Sequence, residues 1–295
     1  MGFRELIGVL CCAAVWPTRG EECLVSLGED TSTLLQTGGA DLWEEPHVAD
    51  DTHFVLYFVA MQGNTKHNLS DYVMFLTTTC TRLARKIELE RGIRATLVGS
   101  VAWVRDNVPA CASLEQGSEL SLGNLQYKAE QRRMWRNCTK KHSQGDIIPA
   151  FSNMAQIWLN KLPVLCKAAG ARPSGTTVLV DANLYKSNRV RAALTASSRL
   201  SPGRLMMPSY VPATAPDRIP TWPRPWFGQP TCTRAPYYQA KFLAARGRDC
   251  PKLLAAWHEA LRVVASDTSC GCYDEEIVFG VMKALRPDMF QRGNE

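Results

Sequence analysis

The chain has 295 residues, of which 45% are hydrophobic and 21% are charged, and its formal net charge is +6. This composition is typical of a globular protein, and it excludes a chain that is disordered throughout. The positive charge is scattered without long basic runs, so it mildly favours anionic ligands such as nucleotides or acidic glycans, although a solvated surface explains it equally well.

The amino terminus predicts a signal peptide over residues 1–20. Leu6 to Trp16 is an uninterrupted apolar run that follows Arg4 and precedes Pro17. Such a run is too short to span a membrane comfortably and fits the apolar core of a secretory leader, with a short buried helix as the alternative. No later segment of the sequence is long and apolar enough to predict a membrane span. We therefore expect the protein in the secretory pathway, either in the Golgi or ER lumen or outside the cell.

Cysteines and glycosylation sequons agree with this secretory route. The chain has 11 cysteines, and an oxidising compartment would allow several disulfides, whose connectivity the sequence leaves open. Two acceptor sequons for N-glycosylation begin at Asn68 and Asn137. Cys270 and Cys272 are close in sequence, but no matching Cys or His pair lies near them, so we do not expect zinc there.

The order of the first segments predicts a parallel α/β sheet. Residues 21–51 are acidic and weakly patterned, which indicates an irregular segment. Strand character over Phe54–Ala60 is followed by helical spacing from Ser70, the expected helix cap, and strand character returns over Arg94–Val104. Strand, helix and strand in this order form the beginning of such a sheet.

The later segments continue this alternation to the carboxyl end. Glu115–Gly145 is polar and basic, which predicts loop with some helix, and the next helix runs from Phe151, kinks or restarts at Pro163 and ends near Gly170. No domain boundary is evident, so we expect one α/β domain over 52–292, with a mostly parallel mixed sheet flanked by helices. Its remaining elements would be a strand ending at Asp181, a short helix over Arg189–Leu200, a strand over Arg204–Tyr210, a proline-rich loop over Pro202–Pro236, and helices beginning near Asp249 and Asp274.

The strand that begins at Thr176 ends in an acid and an amide, Asp181 and Asn183. In open α/β sheets ligands bind at the carboxyl ends of strands. Alternate residues of a strand share a face, so these two side chains could together hold Mg²⁺ or Mn²⁺. Asp and Asn are also common turn formers after strands, and an ordinary turn is the alternative.

A second group of acids, Asp274, Glu275 and Glu276, falls in the first turn of the last predicted helix. Acids there stabilise the helix dipole, which explains them without any catalytic role. A carboxylate near Asp181 could instead take a proton from an attacking hydroxyl, as general-base catalysis requires. The chain lacks the motifs HExxH, GxGxxG, GxSxG and the Walker loop, so metalloproteases, dinucleotide-binding proteins, α/β-hydrolases and P-loop enzymes are not indicated.

Four segments occur in an order that resembles a known family. They are FVLYFVA, NKLPVLCKAAG, VLVDAN and DEEIVFGVMKALRPDMF, and the resemblance to the bacterial HtrL/YibB-type glycosyltransferase family and its eukaryotic relatives spans about Phe54 to Phe290. It implies a nucleotide-diphospho-sugar transferase fold of the GT-A kind. In that fold an acidic motif at a strand end holds a divalent metal against the donor diphosphate.

The same resemblance implies roles for individual residues. Asp181 and Asn183 fall at the acidic motif and would hold the Mn²⁺ or Mg²⁺ ion. Asp274 and Glu275 match a late acidic pair of the family, and one of them would act as the catalytic base or orient the acceptor. The residues expected to bind the donor are Lys161, which matches a family lysine, and Asp181, Lys186 and Arg189.

Asn183 stands where the family has a second aspartate. A neutral oxygen replaces an anionic ligand there, so metal affinity should fall, and nearby basic side chains would then neutralise the departing diphosphate. We expect transfer of a sugar from a nucleotide sugar to a hydroxyl of a glycan, lipid or protein, without a nucleic-acid partner. A PIN-like metal-dependent nuclease and a catalytically inactive secreted or lumenal glycan-binding protein remain as alternatives.

Overall fold

The computed structural model describes residues 51–61, 68–139, 148–182, 199–207, 240, 242–266 and 275–292. The predicted signal peptide, the segment 21–50 and nearly all of the proline-rich loop and of the predicted helix over Arg189–Leu200 lie outside these residues. None of the helices in the described ranges is long and apolar enough to cross a membrane.

Within these residues a seven-stranded sheet forms the centre of an α/β fold. The strand order is β3-β2-β1-β4-β6-β5-β7. Strand β6 runs antiparallel to both of its neighbours, and the other pairs are parallel, so the mostly parallel mixed sheet predicted from sequence is confirmed. The strands are β1 (Thr52–Phe58), β2 (Ile93–Gly99), β3 (Glu115–Glu119), β4 (Thr176–Asp181), β5 (Leu205–Met207), β6 (Phe242–Arg246) and β7 (Phe290–Arg292).

Helices flank this sheet, as the alternating sequence pattern predicts. They are α1 (Leu69–Leu89), α2 (Val101–Asn107), α3 (Lys128–Thr139), α4 (Ile148–Leu159), α5 (Lys161–Gly170), α6 (Cys250–Ser266) and α7 (Glu275–Leu285). Short 3-10 turns occupy Pro109–Cys111, Gly247–Asp249 and Pro287–Met289.

The central strand β1 is buried along its whole length because helices cover both of its faces. On one face Val55 and Tyr57 belong to the main hydrophobic core together with Leu179 of β4. The α5 and α6 helices pack on this face. On the opposite face the ring of Phe58 contacts that of Tyr72 from α1, with centroids 5.1 Å apart. The fold therefore has layers of helices on both sides of the sheet.

Helix α1 begins one residue before the predicted cap. Asn68, not Ser70, caps it, because the Asn68 Oδ1 accepts the Asp71 backbone N–H at 2.8 Å. The Asp71 carboxylate in turn accepts the Asn68 N–H at 3.0 Å, which completes a capping box. The exposed Asn68 of the first glycosylation sequon thus has a structural role of its own.

Three segments differ from the sequence-based prediction. The strand expected over Arg94–Val104 ends at Gly99, and Val101–Asn107 is the helix α2. The break occurs at Gly99, whose φ is +124° and whose position leaves no room for a Cβ, since that atom would lie 1.7 Å from the Phe58 carbonyl oxygen. Part of the polar stretch expected to form loop is instead β3, an exposed strand at the sheet edge. The restart expected at Pro163 occurs at Asn160, between α4 and α5.

Within the described ranges, two disulfides join neighbouring elements, which agrees with the expectation of disulfides. Cys80 in α1 is bonded to Cys111, and Cys166 in α5 is bonded to Cys250 at the start of α6. The sequence separations are 31 and 84 residues. In the chain-entropy description, closing loops of these sizes stabilises the folded state by about 4 and 4.5 kcal/mol respectively.

Candidate functional site

The candidate site lies at the point of the sheet where the order of strand addition changes from one side of β1 to the other. From β1 the chain proceeds to β2 and β3 on one side and then returns to β4 on the other side of β1. Strands β1, β2 and β4 are parallel, so their carboxyl ends meet at one edge. Tyr57 of β1 pairs with Asp181, the last residue of β4. Ligands of open α/β sheets bind in the crevice that forms at such a point.

Asp181 is held at this edge by a buried lysine. The Lys161 Nζ lies 2.9 Å from the Asp181 Oδ2, and the two side chains are 3% and 17% exposed. The same Nζ donates a hydrogen bond to the Ala240 carbonyl oxygen at 3.0 Å. Lys161 therefore connects the start of α5, the end of β4 and the residue shortly before β6. The structure brings these two predicted donor-binding residues into direct contact.

Lys161 reaches this position because the helical region breaks at the residue before it. Asn160 is 3% exposed, and its side chain makes three hydrogen bonds to the backbone. Its Nδ2 donates to the carbonyl oxygens of Gln126 and Gln156, at 3.0 and 2.8 Å, and its Oδ1 accepts the Gln126 N–H at 3.0 Å. These bonds fix the junction between α4 and α5, so the lysine side chain extends from a rigid point.

Lys161 and Asp181 form an ion pair in which each charge lowers the cost of burying the other. Burying an isolated ammonium costs several kcal/mol, and the neighbouring carboxylate offsets this cost. Removing one partner of such a pair typically destabilises a protein by about 3–5 kcal/mol, since the other charge is left uncompensated. The lower value is expected when Lys161 is the partner that is removed. The Asp181 side chain is 17% exposed, so water can partly solvate its carboxylate, whereas the Lys161 ammonium is almost fully buried.

The loop after β1 is fixed beside the same edge. The Ser100 N–H donates to the Phe58 carbonyl oxygen at 2.7 Å, and the Ser100 Oγ accepts the Ala60 N–H at 2.9 Å. On the α1 face, the rings of Tyr72 and Trp103 flank Phe58, with centroid distances of 5.1 and 5.3 Å. Both outer rings are half-buried.

Sequence reasoning did not select Ser100, Tyr72 or Trp103. The sequence offered one signal for Tyr72 and Trp103 as site residues. Each lies near the start of a helix that follows a strand. That signal is weak, because single aromatic residues at helix starts are usually part of the core.

The divalent-metal site predicted at this edge stays a prediction. In the ranges that the structure describes, no group of three or more His, Cys, Asp or Glu side chains could hold a metal ion. The one predicted ligand that is described, Asp181, faces the Lys161 ammonium through its Oδ2. A cation at that oxygen would be repelled by the ammonium. The second predicted ligand, Asn183, lies outside the described residues.

Several other predicted site residues cannot be compared with the structure. Lys186, Arg189 and Asp274 lie outside the described residues. Glu275 is the first residue of α7, but its side chain is outside them too. Their roles in donor binding and catalysis therefore stay predictions.

Titratable groups with shifted pKa values occur elsewhere in the described part. Burial lowers the pKa of His53, near the amino end of β1, and the positive charge of Arg172 adds to this effect. Burial also raises the pKa of Tyr127 to about 12, with a further contribution from the Glu130 carboxylate. The Tyr127 hydroxyl lies 2.8 Å from the His258 Nε2. His53 is at the opposite end of β1 from Asp181 and does not belong to the candidate site.

Comparisons with known proteins add no family assignment. No protein-family model matches the chain, and no curated protein sequence is significantly similar to it. The functional argument therefore depends on the site itself.

Proposed function

We propose that the chain is a glycosyltransferase that transfers a sugar from a nucleotide-diphospho-sugar donor to a hydroxyl acceptor. The observation that carries this proposal is the Asp181 carboxylate, fixed by Lys161 at the carboxyl end of β4, where the sheet topology reverses. A nucleotide ligand in this class of sheet binds at such a point. The mostly parallel mixed sheet is compatible with a fold of the GT-A kind.

The chemistry requires three contributions from the protein. The acceptor oxygen attacks the anomeric carbon of the donor sugar, and the bond from that carbon to the diphosphate oxygen breaks. The diphosphate leaves with the bonding electron pair, and the acceptor proton passes to a base. Catalysis therefore needs a positioned donor, positive charge near the leaving group and a carboxylate near the acceptor.

Each contribution has a proposed residue in this chain. The rigidly held Asp181 would accept hydrogen bonds from donor hydroxyl groups and so position the donor. Lys186 and Arg189, which follow β4 in sequence, would neutralise the charge that develops on the departing diphosphate. Asp274 or Glu275 would take the acceptor proton. The half-buried rings of Tyr72 and Trp103 supply apolar surface near the same edge.

Calorimetric titration with a panel of nucleotide sugars tests this proposal directly. The wild-type protein should bind at least one donor and transfer its sugar to an acceptor or to water. Asp181→Asn, which removes the negative charge and keeps the side-chain shape, should lose most of that binding. Asp106→Asn is the matched control, because Asp106 is 63% exposed and its ion-pair partner is the adjacent Arg105.

The possible results separate the functional classes. Equal donor binding by wild type and Asp181→Asn would defeat the role given to Asp181. Absence of binding across the panel would defeat the glycosyltransferase proposal as a whole. Donor binding without turnover would instead favour the inactive binding protein. Nothing in the described residues favours the nuclease, which needs further acids gathered beside Asp181.

A further inference from the structure

Asn68, the asparagine of the first glycosylation sequon, is exposed at the start of α1. We infer that Asn68 carries an N-linked glycan on its Nδ2, and that the same side chain caps α1 through its Oδ1. The glycan requires the secretory route predicted from residues 1–20. It does not require the proposed transferase activity, because this chain is the acceptor of the glycan and another enzyme attaches it.

The side-chain oxygen of Asn68 makes all of the capping contacts of that side chain. The Oδ1 accepts the Asp71 backbone N–H at 2.8 Å and the Ser70 hydroxyl at 2.5 Å. The return contact of the capping box joins the Asn68 backbone N–H to the Asp71 carboxylate at 3.0 Å, so it does not involve the Asn68 side chain. The cap therefore depends on the amide oxygen and not on the amide nitrogen.

The side-chain nitrogen of Asn68 is free to be modified. Among the described residues, nothing accepts a hydrogen bond from the Asn68 Nδ2. An N-linked glycan replaces one hydrogen of this nitrogen by the anomeric carbon of a sugar and leaves the amide oxygen in place. An exposed nitrogen without a partner can carry such a bulky hydrophilic group without loss of a contact in the folded protein. Glycan and cap are therefore compatible on one side chain.

The backbone around the first sequon is also suited to a surface modification. The φ of Asn68 is −83° and its ψ is 172°, which is extended backbone just outside the helix, and Ser70 is exposed. Sequons that carry a glycan lie on the surface of secreted proteins. Asn137 of the second sequon differs, because its backbone lies in the last turn of α3.

Attachment of the glycan is a glycosyl transfer to nitrogen. The Asn68 Nδ2 attacks the anomeric carbon of an oligosaccharide that is bound to a lipid diphosphate. A bond from carbon to nitrogen forms as the bond from that carbon to the diphosphate oxygen breaks. The lipid diphosphate leaves with the bonding electron pair, and the Nδ2 proton passes to a base of the attaching enzyme. Nothing is oxidised or reduced.

Glycopeptide mass spectrometry tests the modification. The full chain with its own amino terminus is expressed in a eukaryotic secretory host, and the glycans are released by N-glycosidase in heavy-oxygen water. Each glycosylated asparagine then becomes a labelled aspartate, so Asn68 and Asn137 are read separately. Wild type should carry the label at Asn68. Ser70→Ala, which removes the sequon hydroxyl, should lose it, and the matched variant Ser70→Thr should keep it.

Urea denaturation tests whether the cap remains when the glycan is attached. Release by N-glycosidase leaves an aspartate at position 68, which caps a helix about as well as asparagine. The glycosylated and released proteins should therefore unfold at about the same urea concentration, and both should be more stable than Asn68→Ala. Glycosylated protein that is only as stable as Asn68→Ala would show that the glycan displaces the cap, and that part of the inference would be wrong.

Protease protection of the chain in microsomes separates two ways in which the modification could fail. If the chain is protected and Asn68 is unmodified, the accessible sequon is not used and the inference is overturned. If the chain stays accessible to protease and Asn68 is unmodified, the inference is overturned because the secretory route that it requires is absent. Donor titration of the same protein is unaffected by either result, so the proposed transferase activity is tested separately.

Discussion

Replacing Asn160 by alanine tests how the site is anchored. The variant removes three hydrogen bonds to backbone groups of Gln126 and Gln156, all of 3.0 Å or less. A hydrogen bond within a protein contributes about 0.5–1.5 kcal/mol net, so the summed loss should be about 3 kcal/mol. The loss should not be larger, because Gln126 is exposed and water can replace its bonds to Asn160.

Urea denaturation measures this loss. Asn160→Ala should lower the free energy of unfolding by about 3 kcal/mol, and in a protein of this size the melting temperature should fall by about 6–12 °C. Asn124→Ala is the matched control, since Asn124 also bonds to backbone groups, accepting from the Ser121 N–H at 2.8 Å, but is exposed. Its loss should stay below about 1 kcal/mol.

Two results would contradict this reasoning. If Asn160→Ala loses no more stability than Asn124→Ala, the three bonds are not what holds the junction. If Asn160→Ala is destabilised but the coupling between Lys161 and Asp181 is unchanged in a double-mutant cycle, the junction does not position the lysine. The expected result is a weaker coupling, because Lys161 directly follows Asn160 in the chain.

Three further predictions concern other parts of the fold. Because burial lowers the pKa of His53 below its usual 6.5, its contribution to stability is complete above pH 6.5 and falls at lower pH, by up to about 1.4 kcal/mol per pH unit. His53→Gln should flatten the dependence of unfolding free energy on pH in this range, and identical slopes would refute the assignment. Asn68→Ala should cost about 1 kcal/mol in urea denaturation through loss of the α1 cap, whereas Asn68→Asp, which also removes the sequon, should retain most of the stability. Gly99→Ala should cost more than about 2 kcal/mol in the same assay, because of its φ of +124° and the contact with the Phe58 carbonyl, while Gly170→Ala, where a Cβ meets nothing within 4 Å, should be tolerated.

Local patterns in the sequence were sufficient to predict the main elements. The apolar run of β1, the helical spacing of α1, α6 and α7, and the strand that ends at Asp181 were all identified, because each depends on the periodicity of its own residues. The position of Asp181 as a strand-end candidate followed from the same information. Strand β3 was missed, because its exposed sequence EQGSE has no apolar alternation and is a strand only through its pairing with β2.

The tertiary structure decided what those local patterns could not contain. The break between α4 and α5 falls at Asn160, because this side chain bonds to Gln126, which is 34 positions away in the sequence. The connectivity of the two disulfides depends in the same way on which helices become neighbours. The contact between Lys161 and Asp181 likewise requires α5 to pack against the sheet beside β4. Sequence alone thus identified a carboxylate at a strand end, and the packing of distant segments gave that carboxylate a buried cation, because a charge can be buried only where the fold supplies its partner.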